Sequence, residues 1–168
     1  MKGLHIITPV KDSIDSTLET VRAIKASKLS VPYKYTIYND FSTPENTARL
    51  TAAARELGFE LVNLCDLTSH PSPNYLLVLQ KTQREALEAD AGLLIVESDV
   101  IVAENTLQDL YDGALQRPDC GIAASVTVDD NGAINSPYLY AEGLENREED
   151  KKKHCSFCCS LLTPRLLA

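Results

Sequence analysis

"GLLIVESDVIV", residues 92–102, is an apolar run interrupted by two acids and a serine. Its opening, Gly92 to Val96, has the length and unbroken apolar character of a buried strand. Glu97, Ser98 and Asp99 follow at once. Residues two apart on an extended chain point the same way. The two carboxylates are therefore expected side by side, repelling each other unless something positive lies between them.

Working outward, strand and helix signals alternate. "LHIITPV" is a short β-branched run containing Pro9, and "KDSIDSTLETVRAIKAS" puts Ile14, Leu18, Val21 and Ile24 on one helical face. Ser16 and Glu19 have the spacing of a capping box there, with Asp12 and Ser13 as other caps. "YKYTIYND" reads as a second strand. "FSTPENTARLTAAARELG" reads as a helix with Ser42 and Glu45 as its capping box, Pro44 in the first turn and Gly58 at the C-terminal cap. A strand "FELVNL", a loop "CDLTSHPSPN" and a helix "YLLVLQKTQREALEAD" lead back to residue 92. Beyond it, "ENTLQDLYDGALQ" is helical, "CGIAASVTV" a strand and "DDNG" a turn, with "AINSPYLYAEG" returning as a further strand. Residues 145–153, "ENREEDKKK", read as a charged solvated loop, and "CSFCCSLLTPRLLA" as a strand that starts a helix. Such alternation predicts an α/β fold with a mostly parallel central sheet and helices on both faces.

The 168 residues suit one domain, 1–168, with a full core. The net charge of −8 argues against a nucleic-acid surface. No apolar stretch approaches the ~20 residues of a membrane helix, and the N-terminus lacks a signal-peptide pattern. A cytoplasmic location is the expectation. Of five cysteines, Cys65 and Cys120 read as small core residues. His154, Cys155, Cys158 and Cys159 include a CxxC spacing that suits zinc, but no second ligand pair exists, so core thiols are the better reading.

In an open α/β sheet, ligands gather at the carboxyl ends of the strands. Thr8, Pro9, Val10, Lys11 and Asp12 stand there after the first strand, Asn39, Asp40, Phe41 and Ser42 after the second, and Glu97, Ser98 and Asp99 after the fourth. No glycine-rich phosphate loop follows any of them. A hard divalent cation, Mg²⁺ or Mn²⁺, is the simplest way to hold Glu97 and Asp99 together, and it completes its shell with substrate phosphates. Taken singly, each residue has a plainer reading: Asp12 and the acids after residue 96 as helix caps, Asp40 as an Asx turn, Lys81 as an exposed helix residue.

Three stretches together resemble a family-2 glycosyltransferase of the Rossmann-like GT-A fold. "IITPVKDSIDSTLETVRAIKAS" is similar to that family's opening strand, proline and helix. "YTIYNDFSTPENTARL" resembles its second strand and Asp-Asp-Gly-Ser-Thr turn, and "ADAGLLIVESDVIVAENTLQDL" its Asp-x-Asp strand. "CSFCCSLLTPRLLA" is similar to the later strand and turn on the acceptor side. The resemblance implies a nucleotide-sugar donor, UDP-sugar favoured, with Mg²⁺ or Mn²⁺ and a glycan, lipid or protein acceptor. It implies that Thr8, Pro9 and Val10 line the base and ribose pocket with Asp12 at its edge, and that Asp40 accepts from the base. Lys81 would face the diphosphate. Glu97 and Ser98 would meet the donor, and Asp99, with Glu97, the metal. Lys11 and Asp12 stand where the family has an aromatic and an asparagine, Asn39 and Phe41 replace an aspartate and a glycine, and Glu97 replaces an aspartate.

The family's general base is expected beyond Ala168, so the chain reads as the donor-binding part of a longer enzyme, inactive as it stands. Asp129, Asp130 and Glu142 are the acids downstream of the metal motif, and nothing in the sequence sets them opposite a leaving group. Peripheral membrane association of the full-length protein and a homo-oligomer both remain open. The alternatives are a nucleotidyltransferase, disfavoured by the absence of glycine from "TPVKDSIDS", and a catalytically inactive binding or assembly fragment.

Overall fold

The computed structural model describes residues 1–142 and 155–168. The chain runs β1 (Leu4–Val10), α1 (Ile14–Ala26), β2 (Tyr33–Asn39), α2 (Pro44–Leu57), β3 (Glu60–Asn63), α3 (Tyr75–Glu88), β4 (Gly92–Val96), α4 (Thr106–Gln116), β5 (Ile122–Ala124), β6 (Cys159–Leu162) and α5 (Pro164–Leu167). The six strands form one sheet in the order β3-β2-β1-β4-β6-β5. β1 to β4 are parallel, with Val10 opposite Asn39 and Ile7 opposite Ile95. β6 is antiparallel to both neighbours, with Val96 opposite Cys159.

Strand alternation sorts the core into two layers. Ile6, Ile37, Leu94, Val96 and Leu161 pack with Val21 and Ile24 of α1, Leu50 of α2 and Leu107 of α4. Ile7, Tyr38, Leu93 and Ile95 point the other way, onto Val78 and Ala86 of α3 and Leu167 of α5. All five residues of β4 are buried, because helices cover both faces. All four residues of β6 are buried too, whereas β5 is half-buried at the edge. The later strand therefore takes the interior place.

Several local expectations change. The N-cap of α2 is Thr43, whose hydroxyl accepts the Asn46 N–H; Ser42 instead accepts the Asp12 N–H. α1 starts after Ser13 with no side-chain cap, and Ser16 donates its hydroxyl to the Ser13 carbonyl. Cys65 is exposed, not a core thiol, while Cys120 is half-buried against the core and Cys159 is buried. "AINSPYLYAEG" contributes a single bridge, Val128 to Ile134, and a 3-10 turn at Tyr138–Ala141 instead of a strand. Its buried Tyr138 anchors that turn by hydrogen bonds to Ser156. The expected charged loop at 145–153 and His154 lie outside the described residues.

Candidate functional site at the carboxyl edge of the sheet

The ends of β1 and β2 are laced together by short polar side chains. Asp12 adopts φ 59°, and its Oδ1 accepts the Thr43 N–H at 2.7 Å and the Asn46 amide at 3.0 Å. These bonds, with the Lys11 charge, hold its carboxyl below the usual range. Asn39 donates to Thr47 at 3.0 Å and to Asn63 at 2.9 Å, and accepts the Ser42 N–H. Phe41 also adopts φ 59°. Asp12 and Phe41 thus keep the left-handed geometry in which asparagine and glycine are at ease.

Asp40 is buried and fastens the start of α3. Its Oδ2 accepts from the Ser72 hydroxyl at 2.7 Å and the Asn74 N–H at 2.8 Å, and Oδ1 accepts the Asn74 amide at 2.8 Å. Burial alone would raise its pKa. The Asn74 and Ser72 hydrogen bonds and the Lys11 charge outweigh burial and hold the carboxyl below its usual range.

β4 ends at Val96 and the chain turns at once. The Glu97 N–H donates to the Cys158 carbonyl at 2.9 Å, and the Val100 N–H closes the turn onto the Glu97 carbonyl at 3.2 Å. The two acids therefore do not continue an extended strand as the sequence suggests; they share a tight turn. Glu97 and Ser98 are half-buried and Asp99 is exposed. Among the described residues neither acid forms an ion pair. The Cys158 Sγ lies 2.7 Å from Ser156 Oγ; burial first, with the charges of Glu97 and Asp99, pushes the thiol's pKa up against the lowering bond from Ser156.

The structure thus brings Asp12 and Asp40 to adjacent strand ends, and Glu97, Ser98 and Asp99 to the next strand, with β1 and half-buried Pro9 between. It leaves other expected residues elsewhere. Thr8 is fully buried, its hydroxyl 3.0 Å from that of Tyr35, and Val10 is in the core with α1. Both side chains are packed inside the fold. Lys81 pairs with Glu85 at 2.6 Å, in a cluster with His5 and Lys34 at the amino-terminal half of the strands. Asp129 accepts the Asn131 and Ala133 N–H groups within its turn.

Shape and chemistry disagree on where a ligand goes. A cleft of about 400 Å³ is lined by Leu4, His5, Lys34 and Glu85, and one of about 280 Å³ by Leu79, Leu93, Leu162 and Leu167. Neither touches the carboxyl-edge acids. The chemistry is the better guide, because the carboxyl edge is where open α/β sheets take ligands. Ser72, Asn74 and Cys158 take part in that edge, yet no sequence pattern marks them: their partners are distant in the chain.

No family model matches the sequence, and no curated protein does. Solved structures do match the fold. The mannosyltransferase PcManGT of Pyrobaculum calidifontis, in complex with GDP-Man and Mn²⁺, superposes with TM-score 0.56 at 16% identity, covering 74% of this chain and 35% of that one. S. aureus TarS with UDP-GlcNAc gives 0.50 at 16% identity, covering 71% and 33%. Glucosyl-3-phosphoglycerate synthase of Mycobacterium tuberculosis with UDP gives 0.51 at 14% identity, covering 72% and 43%. The chain spans between a third and just over two fifths of those lengths. At such identities the shared property is architecture, and by that measure the protein is built on the GT-A fold of glycosyltransferases.

Proposed function

We propose that this chain is the nucleotide-sugar-binding part of a divalent-metal-dependent glycosyltransferase, organised as one domain. Its donor is a nucleoside-diphosphate sugar, UDP-linked by preference, and its acceptor a glycan, lipid or protein. The observation that carries this reading is the Glu97–Val100 turn: two carboxylates leave the central parallel strand together, without an ion-pair partner among the described residues.

The residues present fit Mg²⁺ or Mn²⁺. Asp99 and Glu97 are hard oxygen donors, and among the described residues no third His, Cys, Asp or Glu joins them in a metal-holding group. A cation held by one or two carboxylates leaves room for phosphate oxygens. When bound, it stabilises the negative charge of the departing diphosphate as a Lewis acid. The chain's own part is positioning. Asp40 holds the start of α3, and its Oδ1, with one partner against two on Oδ2, keeps a lone pair for a ring N–H of the base. Asp12 ties the β1 and β2 turns into one edge. No proton acceptor for the sugar's acceptor hydroxyl is assigned.

Calorimetric titration of UDP and GDP with and without Mn²⁺ tests this. UDP binding is expected to require the cation, and Asp99→Ala to remove the cation-dependent part. Undiminished binding in excess chelator would overturn the metal bridge. The absence of nucleotide binding under all conditions would favour a non-catalytic module.

A further inference from the structure

Resting on that donor-site reading, we infer that Lys11 is a specificity-determining residue for the base of the donor. Its ammonium donates to the carbonyl oxygen beside the ring N–H that Asp40 accepts, and the two residues together select uracil.

Strand register brings residue 11 to residue 40. β1 and β2 run parallel with Val10 opposite Asn39, and the Asp40 N–H donates to the Val10 carbonyl at 2.8 Å. Lys11 is the next residue past β1, and so stands beside Asp40 at the end of β2. Its backbone is fixed from the other side as well. The Lys11 carbonyl accepts the Ser13 N–H at 2.8 Å, and Asp12 is tied to the start of α2 through Ser42, Thr43 and Asn46. The lysine therefore projects from a rigid stem.

Its charge is left over. Among Thr8–Asp12, Asn39–Ser42 and Glu97–Asp99, Lys11 is the one cation. It is exposed, and among the described residues it forms no ion pair. The carboxylates on either side are already occupied. Asp12 accepts from Thr43 and Asn46, and Asp40 from Ser72 and Asn74. The Lys11 charge acts on both acids without pairing with either.

An acceptor, Asp40 Oδ1, and a cationic donor are thus set side by side. Uracil fits such a pair on either side, because its ring N–H is flanked by a carbonyl at each hand. Guanine has one carbonyl and an amino group there, and cytosine and adenine offer a lone pair in place of the ring N–H. A site built to hydrogen-bond a group rejects the analogue that lacks it.

The test uses UDP and its 2-thio and 4-thio analogues, in which sulfur, a poor acceptor, replaces one carbonyl oxygen. Lys11→Met keeps the stem and removes the donor, and Lys11→Arg keeps both charge and donor. Binding is measured by calorimetry with Mn²⁺ present, and thermal unfolding confirms that each variant folds. The wild type is expected to bind UDP about fivefold more tightly than one of the two analogues, the worth of a single hydrogen bond. Lys11→Met is expected to lose about that factor for UDP and to bind UDP and that analogue alike, while Lys11→Arg restores the preference. Equal binding of all three nucleotides by the wild type overturns the inference and leaves the donor site standing. A preference that survives in Lys11→Met, with UDP and both analogues weakened alike, puts the ammonium on the phosphates and also overturns it. Absence of UDP binding by the wild type refutes the donor reading, and this inference with it.

Discussion

His5 shows how one side chain ties the pH response to the fold. It is buried near the start of β1, 3.7 Å from Glu85 and 3.5 Å from the Thr36 hydroxyl, with Lys34 and Lys81 close by. Burial first, then the Lys34 charge, lowers its pKa from 6.5, against opposing pulls from Glu85 and Glu60. The folded state therefore prefers neutral His5, and the unfolded chain binds more protons as pH falls through about 6.5. Its contribution to stability is complete above that pH and declines below it, until His5 itself is protonated in the fold. Asp40, with a depressed pKa, loses its contribution only in more acid solution, as pH drops from the unfolded carboxylate value through its folded one. Urea unfolding at pH 7.5 and pH 5.5 should show lower stability at the acid end. His5→Leu should flatten that difference, and an unchanged difference would place the effect elsewhere.

Among the elements, α2 gives the clearest contrast between spacing and geometry. Ser42 and Glu45 have capping-box spacing, but the chain enters the helix one residue later and Thr43 is the cap. Ser42 is drawn off because Asp12, across the β1–β2 edge, offers it an N–H. Thr43→Ala should cost about 1 kcal/mol in urea titration, whereas Glu45→Ala, which removes no reciprocal bond, should leave the midpoint almost unmoved. Phe41 makes a related point. A left-handed conformation costs a residue with a Cβ roughly 1–2 kcal/mol, and packing of its ring against the Tyr38–Leu64 cluster offsets that cost. The edge thereby keeps its turn geometry with an aromatic where glycine is the easier choice.

At the scale of the whole molecule, stability is graded across the sheet. β1 and β4 lie at its centre and are almost wholly buried, while β5 is a half-buried edge. Amide exchange should be slowest in Ile6, Ile7, Leu94 and Ile95 and faster in Ile122–Ala124, since edge pairs open without global unfolding. Equal protection across all six strands would contradict this gradient. By itself, the amino-acid sequence determined β1, β4 and the run of alternating elements, because apolar periodicity and turn residues act over a few neighbouring positions. It also placed Asp12, Asp40, Glu97 and Asp99 at strand ends, since a strand's end is a local property. Only the tertiary structure decided that β6 runs antiparallel inside β5, that the Thr8 hydroxyl meets Tyr35 and Lys81 pairs with Glu85, and that the Glu97 N–H meets the Cys158 carbonyl. Those outcomes depend on contacts between residues far apart in the chain, whose geometry arises only when the layers close on one another.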